Sequence, residues 1–151
     1  MEGQLHMPIP EFINDRDRLE ELAPVATAPI RHHVFVCTGK SCSALDSPLV
    51  KAAFEQELLS RKMLFGKEKK GKNPKGSVVL TECASVGFCA IGTAVMVYPD
   101  GVWYAQVRAE DVPEIVEEHL INGRVVQRLA LLTVPSKGIA AESKTGNNWE
   151  V

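Results

Sequence analysis

No stretch of this 151-residue chain reaches the 18 or more apolar residues of a membrane-spanning helix. Its opening stretch, MEGQLHMPIPEFINDRDRLEEL, lacks the apolar segment of a secretory signal and carries acids early. A cytoplasmic protein is therefore expected. An excess of positive charge is missing too: 17 Lys and Arg face 19 Asp and Glu, a formal net charge of −2. Nucleic-acid binders usually show a basic surplus, so that class is excluded. Aromatic residues are few, at 6%, yet hydrophobic residues reach 45%, enough for an aliphatic core at this length. Nucleophile motifs, phosphate loops and convincing acid–base pairs are absent, which argues against an enzyme acting through this chain alone.

What is present begins with an α/β pattern. Residues 1–30 read as an N-terminal extension, interrupted by Pro8, Pro10, Pro24 and Pro29. Within it, Asn14 is placed to cap a short helix through Leu22, with Leu19 and Leu22 as its apolar contacts. The run HVFVC ending at Cys37 has the β-branched and aromatic character of a buried strand. Ser47 followed by Pro48 reads as a helix N-cap and first turn. Val50, Ala53, Phe54 and Leu58 then recur at helical spacing through about Met63. A second strand covers residues 77–82 and runs straight into Cys83. Residues 93–98 and 102–107 are two further strands, and Pro99, Asp100 and Gly101 make the hairpin turn between them. Asp111 with Glu114 fits a capping box, Val112, Ile115, Val116 and Leu120 form one apolar face, and Gly123 is the stop. Strand, helix, three strands and helix suit a four-stranded mixed sheet with flanking helices. The domain is expected over residues 31–128. Residues 129–151 read as a short strand followed by a polar C-terminal tail.

The four cysteines form two pairs in one structural context. Cys37 and Cys83 each sit where a strand ends, and Cys42 and Cys89 lie in the loops that follow. Gly39, Ser41, Ser43, Ala84, Ser85, Gly87 and Gly92 are small enough to let backbone N–H groups turn toward sulfur. Four thiolates around a compact core, with N–H donors to the sulfurs, is what an iron–sulfur cluster needs. Other readings fit less well. Disulfides are uncommon in a reducing compartment. Zinc knuckles use C-x₂₋₄-C, which Cys37 and Cys42 satisfy, but the C-x₅-C of Cys83 and Cys89 does not. A thioredoxin dithiol requires C-x-x-C, which is absent. A plant-type ferredoxin requires a third cysteine where Leu45 stands. Four buried cysteines without a ligand match glycine-rich loops poorly.

Three features together resemble the thioredoxin-like 2Fe–2S ferredoxins, the family that includes the small two-iron subunit of respiratory complex I. They are VFVCTGKSC after a strand, a second cysteine pair ahead of a hairpin, and the stretch VMVYPDGVWYAQVRAEDVPEIVEEHLINGRVV. The resemblance runs from Cys37 to about Val126. It implies a thioredoxin-like fold, often a homodimer, one 2Fe–2S cluster per chain, and Cys37, Cys42, Cys83 and Cys89 as ligands. One departure stands out: the second pair is C-x₅-C where the family usually has C-x₃-C. The implied function is one-electron transfer. Two alternatives stay open: a relay subunit of a larger oxidoreductase, favoured by the extensions, and a regulatory module with a lost or altered cluster, favoured by the longer spacing.

Other signals carry less. Lys67, Lys69, Lys70, Lys72 and Lys75 lie in one loop, either a solvated loop or a docking patch for an acidic redox partner. Trp103 and Tyr104 alternate on a strand, so one faces the core and the other is a candidate for a dimer interface. His6, His32, His33 and His119 show no ligand spacing. Only His33, near Cys37, is a candidate for supporting the cluster ligands from behind.

Overall fold

The computed structural model describes residues 12–39, 46–84 and 91–134. Helix α1 (Arg16–Leu22) stands in the N-terminal segment. Its cap is Asp15, whose carboxylate accepts from Asp17 N at 3.0 Å, one residue after the expected Asn14. Leu19 is half-buried, but Leu22 is exposed, so only one of the two expected anchors makes contact.

Strand β1 (His32–Cys37) opens the sheet. Val34 and Val36 are fully buried on its inner side, while His33 and Phe35 stack on the outer side with ring centroids 4.0 Å apart. Helix α2 (Ser47–Ser60) follows. Val50, Phe54 and Leu58 recur every four residues and are fully buried. Its N-cap is Asp46, in the left-handed region at φ 73°, so Ser47 is already helical and buried instead of capping. Asp tolerates that conformation better than most residues. The helix ends short of Met63 because Lys62 turns left-handed at φ 58° and Leu64 pairs with the start of the next strand at Val78.

Strands β2 (Val78–Cys83), β3 (Thr93–Tyr98) and β4 (Val102–Val107) occupy the expected segments within a residue. The final helix, α3, starts as α-helix at Val112–Glu114 and continues as π-helix over Ile115–Ile121. Its cap sits one turn earlier than expected, where the Asp111 carboxylate accepts from Arg108 N at 2.9 Å. Gly123, at φ 74°, ends it as expected.

The sheet order is β2-β1-β3-β4-β5, with β1 and β2 parallel and the other pairs antiparallel. The fifth strand, β5 (Ala130–Thr133), extends the expected four-stranded sheet. The short apolar run after the domain is thus part of the sheet, paired to β4. Helices α2 and α3 pack on each other and share one core with the inner sheet face. Burying one Val, Leu or Phe side chain in such a core contributes about 1.5–3 kcal/mol. On the outer face, Phe35, Met96, Trp103 and Leu132 stand abreast across four strands. Tyr104 is the inward aromatic of its pair and Trp103 the outward one.

Candidate metal centre

Parallel pairing decides where the cysteines meet. Cys37 and Cys83 are register partners at the carboxyl ends of β1 and β2. Thr38 fastens the two strand ends together: its N–H donates to the Cys83 carbonyl at 2.7 Å, and its hydroxyl donates to the same oxygen at 3.2 Å. Cys37 is buried and Cys83 half-buried. Each thiol lies near the carbonyl of the other strand, with Cys37 Sγ 3.6 Å from Ala84 O and Cys83 Sγ 3.7 Å from Val36 O.

Both cysteine loops leave from this end of the sheet. The first resumes at Asp46 and α2; the second resumes at β3, whose amino end lies beside the carboxyl end of β1 because the two are antiparallel. Cys42 and Cys89 lie in these loops, outside the described residues. The donor set fits an iron–sulfur group: two thiols are held abreast by a sheet, with a thiol-bearing loop following each. Ser47 follows the first of these loops. Its hydroxyl is buried at the start of α2 with no hydrogen-bond partner among the described residues. A buried hydroxyl without a partner is costly.

Two expectations fall at the other end. His33 sits four residues before Cys37 and bonds Thr81 Oγ1 at 2.7 Å, so it does not support the cysteines. Burial lowers its pKa. The lysine loop leads into β2 at Val78, level with His32 and at the end remote from Cys83. At a strand rise of about 3.3 Å per residue the two ends are about 16 Å apart. Lys67, Lys69, Lys70 and Lys75 are exposed there, and Lys72 is half-buried.

That remote end holds a group of residues no chain spacing revealed. His119 Nε2 lies 2.5 Å from Asp100 Oδ2, and His32 Nε2 lies 3.4 Å from the same oxygen. Tyr104 Oη is 2.8 Å from His119 Nδ1 and accepts from Val126 N at 3.0 Å. The pairing pattern assigns the tyrosine proton to Nδ1 and leaves Nε2–H facing the carboxylate. Burial lowers the His32 pKa, against an opposing pull from Asp100. Burial also pushes Tyr104 up to about 12. The signal within the sequence was weak: His32 and His119 interrupt otherwise apolar buried positions, and Asp100 lies in the turn between them.

No protein-family profile matches the chain. It is similar to a 2Fe–2S ferredoxin of Clostridium pasteurianum, 38% identical over 109 residues that cover 67% of this chain and 96% of the relative. A 2Fe–2S ferredoxin of Aquifex aeolicus is 38% identical over 107 residues, covering 66% of this chain and 87% of the relative. Among solved structures, a thioredoxin-like 2Fe–2S ferredoxin from Aquifex aeolicus superposes with a TM-score of 0.58 at 34% identity, over 70% of this chain and 94% of that one.

Proposed function

The chain belongs to the thioredoxin-like 2Fe–2S ferredoxins, and on that premise we propose that Cys37, Cys42, Cys83 and Cys89 hold its cluster. The protein is a one-electron carrier with one 2Fe–2S cluster per chain. When bound, such a cluster supplies a one-electron couple whose potential depends on ligand, hydrogen bonding and burial. The observation that supports the ligand assignment is the pairing of Cys37 with Cys83, which brings both cysteine loops to one end of the sheet. In this reading Thr38 fixes the spacing of the two strand-borne thiolates.

Residues 31–128 are taken as the ferredoxin domain, to which β5 adds a fifth strand, and the segments before and after as docking extensions of a cytoplasmic protein. Among the described residues no helix is long and apolar enough to cross a membrane. The chain acts with redox partner proteins and is not itself an enzyme. The lysine loop, remote from Cys83, serves as a steering patch for an acidic partner rather than the point of electron entry. The outer row of Phe35, Met96, Trp103 and Leu132 supports a homodimer, because apolar and aromatic side chains abreast on an open sheet favour a second surface.

The test is purification without air, followed by visible absorption and iron and sulfide assays. The reading expects two irons and two sulfides per chain. A colourless, iron-free protein would overturn it and favour the regulatory alternative. Full cluster retention in Cys89→Ser would remove that residue from the ligand set.

A further inference from the structure

We propose that His32, Asp100 and His119 form a second metal site, for a zinc-type divalent ion, at the end of the sheet remote from the cysteines. Two imidazoles and one carboxylate are the donor set that divalent transition ions take, leaving a position open to water. One ligand atom from each residue can be chosen so that all three lie within 4.8 Å of one another. Tetrahedral zinc, with bonds of about 2.0–2.1 Å, sets neighbouring ligand atoms about 3.3 Å apart. His32 Nε2 and Asp100 Oδ2 already stand 3.4 Å apart. The His119–Asp100 pair, at 2.5 Å, is joined through Nε2–H and has to open by less than about 1 Å for an ion to replace that hydrogen bond.

Hydrogen bonding alone explains this group poorly. His32 is 8% exposed, yet its Nε2 reaches Asp100 only at that longer distance, and its Nδ1 is buried without a hydrogen-bond partner among the described residues. A histidine held in place for hydrogen bonds would be better satisfied. Coordination through Nε2 would offset part of the cost of burying it. His119 is better prepared. Its Nδ1 meets the Tyr104 oxygen, which has a lone pair left after accepting from Val126. When an ion takes Nε2, the ring proton moves to Nδ1 and points at that oxygen, and the tyrosine hydroxyl hydrogen turns aside. Tyr104 is thus a positioning residue for the imidazole, as metal-bound histidines require. His119 also lies in the π-helical part of α3, and such departures from α-helix recur at functional sites. The Asp100 side chain is 37% exposed, which gives an ion and a water ligand a way in.

The experiment uses the full chain with its cluster loaded, dialysed against Zn²⁺ and assayed for zinc and iron by elemental analysis. The expected result is about one zinc per chain with iron and visible absorption unchanged. His32→Gln is expected to weaken zinc binding by about tenfold or more. Asp100→Asn, in a partly exposed turn, provides a second variant should the first fold poorly, with the same expectation. Zinc retained equally by the wild type and both variants would overturn the proposal, as would zinc gained only as iron is lost. The ferredoxin reading is tested separately by the absorption, so failure of one leaves the other distinguishable.

Discussion

The two ends of this sheet bring polar, metal-binding chemistry together by different routes. At one end, Cys37 and Cys83 are the last residues of adjacent parallel strands, and the chain leaves both directly into loops that carry the other thiols. At the other end, His32, Asp100, Tyr104 and His119 come from a strand start, a hairpin turn, a neighbouring strand and a helix, and they knit into the core. The first arrangement is completed by loops and should yield to substitution without disturbing the fold. The second is part of the packing, so changes there should cost stability and leave the cluster alone. Soft thiolates and harder nitrogen and oxygen donors are thus segregated, which limits competition for the wrong metal.

The strongest way to break this comparison is Cys37→Ser. It is expected to abolish most visible absorption and bound iron while far-ultraviolet circular dichroism keeps its native form. Loss of the fold along with the iron would mean that the cysteine end, too, is part of the packing.

Tyr104→Phe comes next. It leaves the Val126 N–H and His119 Nδ1 without their buried partner, at a cost of about 1–3 kcal/mol. Urea unfolding measures that loss, and the ratio of visible to ultraviolet absorption should stay at the wild-type value. A matching drop in cluster content would show that the two ends are coupled.

Gly101→Ala is expected to cost about 1–2 kcal/mol, again by urea unfolding. Gly101 has φ +73°, and a Cβ there would meet the Val134 carbonyl oxygen at 2.4 Å. The strain should fall on β5, which Gly101 anchors by accepting from Val134 N at 2.8 Å. Faster amide exchange in β5 than in β1 and β2 would localise the damage to the hairpin end.

The smallest effect concerns pH. His32 and His33 both have pKa values lowered from the ordinary 6.5 by burial. Below pH 6.5 the unfolded chain takes up these protons before the folded one does, so stability declines as pH falls from 6.5 toward the lowered values. Above that range the two groups are neutral in both states and contribute no slope. Denaturant midpoints across this window should therefore drop toward acid, less steeply in His32→Gln. A rise toward acid would contradict the burial of both rings.

Much of the fold was legible in advance because its signals are local. The alternation in HVFVC, the four-residue spacing of Val50, Phe54 and Leu58, and the Asp-Gly turn each act over a few residues. Helix caps were displaced by a residue or a turn, at Asp15, Asp46 and Arg108, because helix ends are set by backbone conformation as well as by the side chains that could cap them. β5 was read as a short strand but not as part of the sheet, since its pairing depends on where the chain returns after α3. His33 looked near the cysteines because sequence neighbours on a strand are easily taken for spatial ones, yet a strand carries four residues well apart.

The sequence by itself determined the strand-end position of Cys37 and Cys83, the inward face of each helix, the hairpin and the family the chain resembles. These follow from periodicity, turn chemistry and motif, all carried by short stretches of chain. Tertiary structure alone decided that Cys37 stands beside Cys83, that the lysine loop lies at the opposite end, and that His32 and His119 converge on Asp100. Those facts depend on strand order and register, which are chosen by the burial of the whole core at once and leave no mark on any one stretch of sequence.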